Sequence, residues 1–329
     1  MKRRDFITLL GGAAAAPLWP RGAKAQPKVI RRVGFLGGSA ILAPQSENYR
    51  AFLAQLDELG LRAGRNVIVE YKALADPRGP AGSAGELLRS QPDVIVIAGQ
   101  EAALQAVLAA SKNIPVVFLA LEYDPVAKKH IASLDKPGGN VTGVFVRQSE
   151  VAQKQIELLT EALPGRKRFA VAWDNETADQ FAAVERSAKE AKLELQPLRH
   201  EKPPYTIELT FKNIAVRKSQ MAMFLPSPHF GGRRSKIAEL ATARKLPTLF
   251  ATKAYVESGG LLSCGIDYQA TMRKLAEFTG KILRGEKPAN LPVDSTARLE
   301  IAVNTKTAKA ISVELPDAVL KRANKTVDA

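Results

Sequence analysis

Short runs of consecutive apolar residues alternate along this chain with stretches whose apolar positions recur every three or four residues. "RRVGFLGG" (31–38) is the first run, and "NYRAFLAQLDELG" (48–60) follows with Tyr49, Phe52, Leu53, Leu56 and Leu59 on one helical face. "NVIVEYKAL", helix "AGELLRSQ", "DVIVIAG", helix "EAALQAVLAASK" and "IPVVFLAL" continue the pattern. Continuous β-branched runs framed by helices predict parallel strands covered on both faces. The class is α/β, doubly wound.

After "KPGGNVTG" (136–143) the alternation restarts. Helices "VAQKQIELLTEALPG", "ADQFAAVERSAKEAK", "IELTFKNIAVRK" and "RSKIAELATARK" separate strands "RFAVAWD", "LELQPL", "MAMFLPS" and "PTLFAT". "ASKNIPVVFLA" and "ARKLPTLFAT" echo one another, each a helix end, a proline and a buried strand. From "LLSCGID" the chain adds helix "ATMRKLAEFTGKILRG", the Pro-rich "EKPANLPVDS", strand "RLEIAVN" and a terminal helix "DAVLKRANKTV". A chain of 329 residues exceeds what one core comfortably fills. Two similar lobes are therefore expected, 26–143 plus 266–295 and 144–265 plus 296–329, with the tail crossing back between them. In that division Gly138, Gly139 and Gly143 form the hinge, absorbing backbone rotation as the lobes close.

The start of the chain stands apart. "MKRRDFITLLGGAAAAPLWPRGAKAQ" has a charged beginning, a short apolar middle and an Ala23-Lys24-Ala25 cleavage pattern, so residues 1–25 read as an export leader. Arg3-Arg4-Asp5-Phe6-Ile7 resembles the twin-arginine motif; an ordinary secretory leader is the other reading. The run Phe6 to Leu18 is too short and Gly-rich to span hydrocarbon about 30 Å thick. Gln26, not cysteine, follows the cut, so no lipid anchor is expected and the product should be soluble outside the inner membrane. With Cys264 its only cysteine, the chain cannot form an internal disulfide.

Charge alters the picture little at this stage. The formal net charge of +15 becomes +11 once the five leader cations and Asp5 are removed. The remaining Lys and Arg are interleaved with Glu, as in "ERSAKEAK" and "RKLAEFTGK", which predicts a solvated basic surface and no nucleic-acid site. "GGRRSK" (231–236) is the one local patch.

Enzyme chemistry finds no foothold. "GFLGGSA" has neither dinucleotide nor P-loop glycine spacing, and there is no G-x-S-x-G or H-E-x-x-H. His130, His200 and His229 are scattered and lack a nucleophile beside them in sequence. No metal and no cofactor are expected. What remains is a set of polar loops, each at the carboxyl end of a predicted parallel strand, where ligands bind in open α/β sheets. They are "GGSAIL", "AGQEAA", "LEYDPV", "WDNET", "PSPHFGG" and "CGIDY", and several lead into helices whose N-termini attract anions.

"RVGFLGG", "DVIVIAGQEAALQA", "IPVVFLALEYDPV", "SLDKPGGNVTGV", "KQIELLTEALPG", "IAELATARKLP", "YVESGGLLSCGIDY" and "KILRGEKPANLPV" occur in this order. Together they resemble the periplasmic substrate-binding proteins of ABC transporters, in the family that includes tryptophan-binding proteins. The resemblance covers nearly the whole chain after the leader. It implies a type I periplasmic-binding fold, two Rossmann-like lobes joined by a multi-stranded hinge, with a small-molecule ligand between them. It also implies a monomer that docks an ABC permease in the inner membrane and does no catalysis.

Carried onto this chain, the family's ligand loops fall at Ser39, Gln100, Glu101, Tyr123, Asp124 and Asn140. From the second lobe come Asp174, Asn175, Ser227 and Asp267. Tyr123 stands where the family usually has glycine and Ser227 where it has aspartate, so the resemblance does not carry the ligand's identity. Aromatic amino acids follow from family members, whereas Ser227 and the basic balance favour carboxylates. Asp124 and Asp267 have a second reading as helix caps, Asn140 as a hinge hydrogen-bonder and Trp173 as core. A ligand-presenting subunit for a receptor kinase is the alternative role. A LacI-like regulator would need a helix-turn-helix where this chain has its leader.

Overall fold

Val94–Ala98 and Val116–Ala120 are five-residue strands in which every residue is buried. Such strands can only sit at the centre of a sheet covered on both faces. In the computed structural model, which describes residues 30–38, 42–74, 79–121, 123–201, 206–296 and 298–328, they do. The expected leader and Ser39 lie outside the described residues.

The first sheet is built from β1 (Arg31–Gly37), β2 (Val67–Ala73), β3 (Val94–Ala98), β4 (Val116–Ala120) and β5 (Val141–Phe145). They run parallel in the order β2-β1-β3-β4-β5. Helices α1 (Glu47–Glu58), α2 (Gly79–Arg89) and α3 (Glu101–Ala110) connect the first four strands. Phe35, Phe52, Val96 and Leu119 fill one face of this sheet; Ile95, Leu104 and Phe118 fill the other.

The second sheet repeats the plan. After α4 (Gln148–Ala162) come β6 (Arg168–Asp174), α5 (Ala178–Glu190), β7 (Glu194–His200) and α6 (Ile207–Val216). Then follow β8 (Met221–Phe224), α7 (Pro228–Gly231), α8 (Arg234–Ala243), β9 (Thr248–Phe250), α9 (Lys253–Glu257) and β10 (Leu262–Ile266). The order β7-β6-β8-β9-β10 reproduces that of the first sheet strand for strand. Next come α10 (Tyr268–Leu283), β11 (Leu299–Asn304), α11 (Thr305–Ala310), α12 (Asp317–Arg322) and β12 (Lys325–Val327). β11 joins β10 antiparallel, and β12 closes the edge. The tail departs from expectation here. The terminal helix stops at Arg322, and Lys325–Val327 pair as a strand.

Backbone passes between the sheets three times. β5 of the first sheet leads directly to α4, which packs on β10 and α5 of the second. β10 leads to α10, which returns to pack on α1 and on β3, β4 and β5. The stretch after α10 then leads to β11. These passages hold one another: Asp294 N–H donates to Gly143 O and Phe145 N–H to Asp294 O, both at 2.9 Å. Asp267 N–H donates to Arg298 O at 2.9 Å. The joint is a narrow three-stranded strap.

Two of the expected hinge glycines, Gly138 and Gly139, are not in that strap, whereas Gly143 O accepts from Asp294 within it. Gly138 and Gly139 precede β5, and β5 runs parallel to β4, so they lie at the amino edge of the sheet, the far side from the crossing. Gly143 sits inside β5 with φ +149, and a Cβ there would meet Phe118 O at 2.1 Å. Close strand approach requires it. Asn140 is at the same amino edge, its Nδ2 donating to Ile114 O at 2.7 Å.

Candidate functional site

All parallel strands of a sheet end on one edge, so their following loops gather there whatever their distance in sequence. In the first sheet that edge carries Gly38, Gln100, Leu121, Tyr123 and Arg147; in the second, Asp174, Asn175, Ser227, Thr252 and Asp267. Of the sequence-derived candidates, only Asn140 among the described residues falls on the opposite edge.

Several of the carboxylates are already spent on their own helices. Asp124 Oδ1 accepts from the N–H groups of Val126 and Ala127 at 2.8 and 3.1 Å, which makes it a turn cap. Asp267 caps α10 by accepting from Ala270 N–H at 2.9 Å. Asp174 is buried and forms a capping box with Thr177. Ser227 is buried, and its Oγ accepts from His229 N–H at 3.2 Å. Asn175 is exposed, its Oδ1 accepting from Arg199 Nη2 at 2.8 Å.

Glu101 is bound most heavily. Its carboxylate meets His130 Nε2 at 2.8 Å, Gln105 Nε2 at 3.0 Å and Lys128 Nζ at 3.4 Å. Burial pushes its pKa up, but the hydrogen bond to His130 and the charge of Lys128 outweigh this and hold it below the usual carboxylate value. The cluster fastens the segment after β4 to the start of α3. Tyr123 lies beneath it, edge-on to His130 with ring centroids 5.8 Å apart.

The helix starts divide into two kinds. α10 has a side-chain cap; α3, α4 and α9 begin at Gln100, Arg147 and Thr252, none of which caps with its side chain. Their first N–H groups face the strand-end crevice. Two buried donors lie at the same level: neither Tyr123 Oη nor Trp173 Nε1 has a hydrogen-bond partner among the described residues. Leaving such a group unpaired costs about 1–3 kcal/mol, so each invites explanation. Burial, with the nearby Glu101 charge, drives the Tyr123 phenol pKa strongly upward, so it remains a donor.

Arg147, Gln148, Lys253 and Tyr71 are site-edge residues that sequence reasoning passed over. Arg147 lies in the first crossing, its Nη1 3.0 Å from Glu150, and Gln148 Nε2 donates to Leu121 O at 2.5 Å. The signal was available: "VFVRQSE" places a cation between a buried strand and a helix start. Lys253 Nζ pairs with Glu300 at 3.1 Å. Burial lowers the pKa of Lys253, but Glu300 and other carboxylates raise it overall. Tyr71 flanks the end of β1, stacked on Phe35 at 5.8 Å and edge-on to Tyr49 at 5.6 Å.

Two surface grooves, of about 360 and 330 Å³, are present: one between β7 and α6, reaching Arg199 and His200 at the carboxyl end of β7, the other beside Arg31 and the end of α10. Neither touches the strand carboxyl ends of the first sheet's site loops, and topology favours the crevice over both. Among the described residues, no group of three or more His, Cys, Asp or Glu is placed to hold a metal ion. None of their helices is long and apolar enough to cross a membrane.

Two duplicated doubly wound sheets, strapped at three points with loops gathered at their carboxyl edges, are an architecture shared by binding proteins and regulators alike. Sequence comparison decides between them. Residues 44–327 match the ABC transporter substrate-binding protein family. The chain belongs to this family. It is thus a substrate-binding protein and not an enzyme, with the two-lobed type I periplasmic-binding fold. A tyrosine-binding protein of Clostridioides difficile (strain R20291) is 24% identical over 266 residues, covering 80% of this chain and 76% of that protein. Among solved structures, a conserved domain protein from Vibrio cholerae is 26% identical with a TM-score of 0.75, over 91% of this chain and 99% of that one. A Streptococcus ABC domain solved in complex with L-Trp is 24% identical with a TM-score of 0.75, over 91% of this chain and all of that one.

Proposed function

We propose that this substrate-binding protein is the extracytoplasmic receptor of an ABC import system. It captures an amino acid or related carboxylate between its lobes and hands it to a membrane permease. The moving units in this reading are the two sheets with their helices, turning about residues 146–147, 266–268 and 294–296.

One observation carries the ligand class. The starts of α3 and α4, at Gln100 and Arg147, have no side-chain cap and stand at the carboxyl edge of the first sheet and in the first crossing. A carboxylate there meets unsatisfied N–H groups, helix dipoles and a guanidinium together. Tyr123 Oη and Trp173 Nε1 are further donors without a hydrogen-bond partner among the described residues, the Trp173 ring itself being stacked on Phe181. Relatives named for binding tyrosine and crystallised with L-Trp support an amino-acid ligand. A ligand that contacts both lobes only when they meet favours closure by its differential affinity.

A thermal-shift screen of amino acids and organic acids tests this. At a hundred times Kd a ligand stabilises by about 2.7 kcal/mol, a rise of several degrees in a two-lobed chain of this size. The reading expects the largest rises from aromatic amino acids or carboxylates. Rises confined to cationic amines or sugars would contradict it.

A further inference from the structure

In a parallel sheet the turns that precede the strands also gather on one edge, opposite the ligand crevice. Strand register makes this edge of the second sheet explicit. Arg168 pairs with Glu194, Phe169 with Met221 and Ala222 with Thr248, so residues 168, 194, 220 and 246 are level. Two positions before each stands a cation: Arg166, Lys192, Lys218 and Arg244, each 26 residues after the one before. Lys167, Arg217 and Lys245 flank them and are exposed, while Glu190 and Glu194 are the nearby acids on the same turns. The positive charge that is dispersed in sequence is therefore gathered in space.

None of these cations is paired with a carboxylate among the described residues; Arg244 instead lies over the Phe211 ring and donates to Leu240 O. The turns are held rigid by other bonds. Arg166 Nη1 donates to Gln220 O at 2.9 Å, Arg168 Nε to Lys218 O at 2.7 Å, and Gln220 Oε1 accepts from the N–H groups of Lys167 and Arg168. The backbone adds a second observation. Lys192, Lys218 and Lys245 occupy the left-handed position that ends α5, α6 and α8, with φ of 56, 52 and 49. Glycine is the usual residue there because any Cβ is strained. Three lysines stand in its place along one edge. Beside them Val216, the last residue of α6, is 73% exposed, and Leu209 on the same helix face is 53% exposed.

We propose that this edge is a docking face for an anionic phospholipid surface. The turn cations lie over headgroup phosphates, with Val216 at the boundary below them. The chemistry favours lipid over other polyanions. The exposed large hydrophobics of the described residues are Ile30, Ile68, Leu209 and Val216, all aliphatic, so the face offers no aromatic platform for nucleobases. Short turns along a sheet edge also present no helix or ribbon to a DNA groove. A protein partner would look for an aromatic anchor in a pocket; this face offers a flat row of cations.

The full chain should sediment with vesicles of phosphatidylcholine containing phosphatidylglycerol, weakly with phosphatidylcholine alone, and progressively less as salt rises. Lys192→Gly, Lys218→Gly and Lys245→Gly with Lys167→Gln removes four charges while relieving three strained backbones. Melting temperature should hold or rise as affinity falls by at least about 100-fold, each surface charge being worth about fivefold. Lys112→Gln, Lys136→Gln, Lys281→Gln and Lys287→Gln removes the same charge from the first sheet's end and should change affinity far less. Val216→Asp should weaken binding on its own. Equal losses in the two quadruple variants, or equal binding to neutral vesicles, would overturn the proposal. So would duplex DNA bound through these lysines while vesicles are ignored.

Discussion

Glu101 opens α3 with its carboxylate already engaged by three neighbours, and its depressed pKa sets the sign of a pH effect. A carboxylate whose folded pKa is lowered contributes stability that is full above its unfolded value, about 4.3, and lost as pH falls through the folded value. Glu101→Gln should therefore cost about 1 kcal/mol at neutral pH, discounted for partial exposure. The gap to the parent should close in acid, as read from urea midpoints at the two pH values. A gap that stayed constant down to about pH 3 would show that no proton-linked interaction is involved. Residue roles were partly legible. Asp124 before Pro125, and Asp267 before a helical stretch, carry the mark of caps, and the structure gives both that use. The unpaired donors of Tyr123 and Trp173 were not legible, because a buried group's partners come from distant parts of the chain.

At the level of elements, the alternation of apolar runs with amphipathic stretches located nearly every strand, since buried parallel strands and covering helices have different periods. The failures came where direction and order in the sheet decide the outcome. "KPGGNVTG" looks like a flexible joint, yet Gly138 and Gly139 lie before the entry to β5, Gly143 is fixed inside it, and the crossing lies at its exit. Gly143 and Gly139 separate the two readings. At Gly143 a Cβ would strike Phe118 O at 2.1 Å, whereas at Gly139 nothing lies within 4 Å. Gly143→Ala should destabilise by more than about 3 kcal/mol, while Gly139→Ala should stay within about 0.5 kcal/mol, both by chemical denaturation. Similar small effects on stability from both, with altered ligand affinity, would return the hinge to these glycines. The four short elements α7, α9, α11 and β12 escaped pattern reading, being of three to six residues and so shorter than a reliable period.

Over the whole molecule, one topology explains both ends of each lobe. Parallel strands carry the ligand loops to their carboxyl edge and, in the second sheet, carry Arg166, Lys192, Lys218 and Arg244 to the other. Sequence order alone made those cations look like a diluted surface charge, because strand register, not proximity in sequence, brings them together. The three-stranded strap is where backbone passes between the two sheets, and so the place about which the lobes can turn. The central claim is that ligand closes the lobes about this strap. Small-angle scattering, with the most stabilising ligand of the thermal screen added to saturation, tests it most directly. A smaller radius of gyration and a shorter maximum dimension are predicted; identical free and saturated profiles would contradict the account.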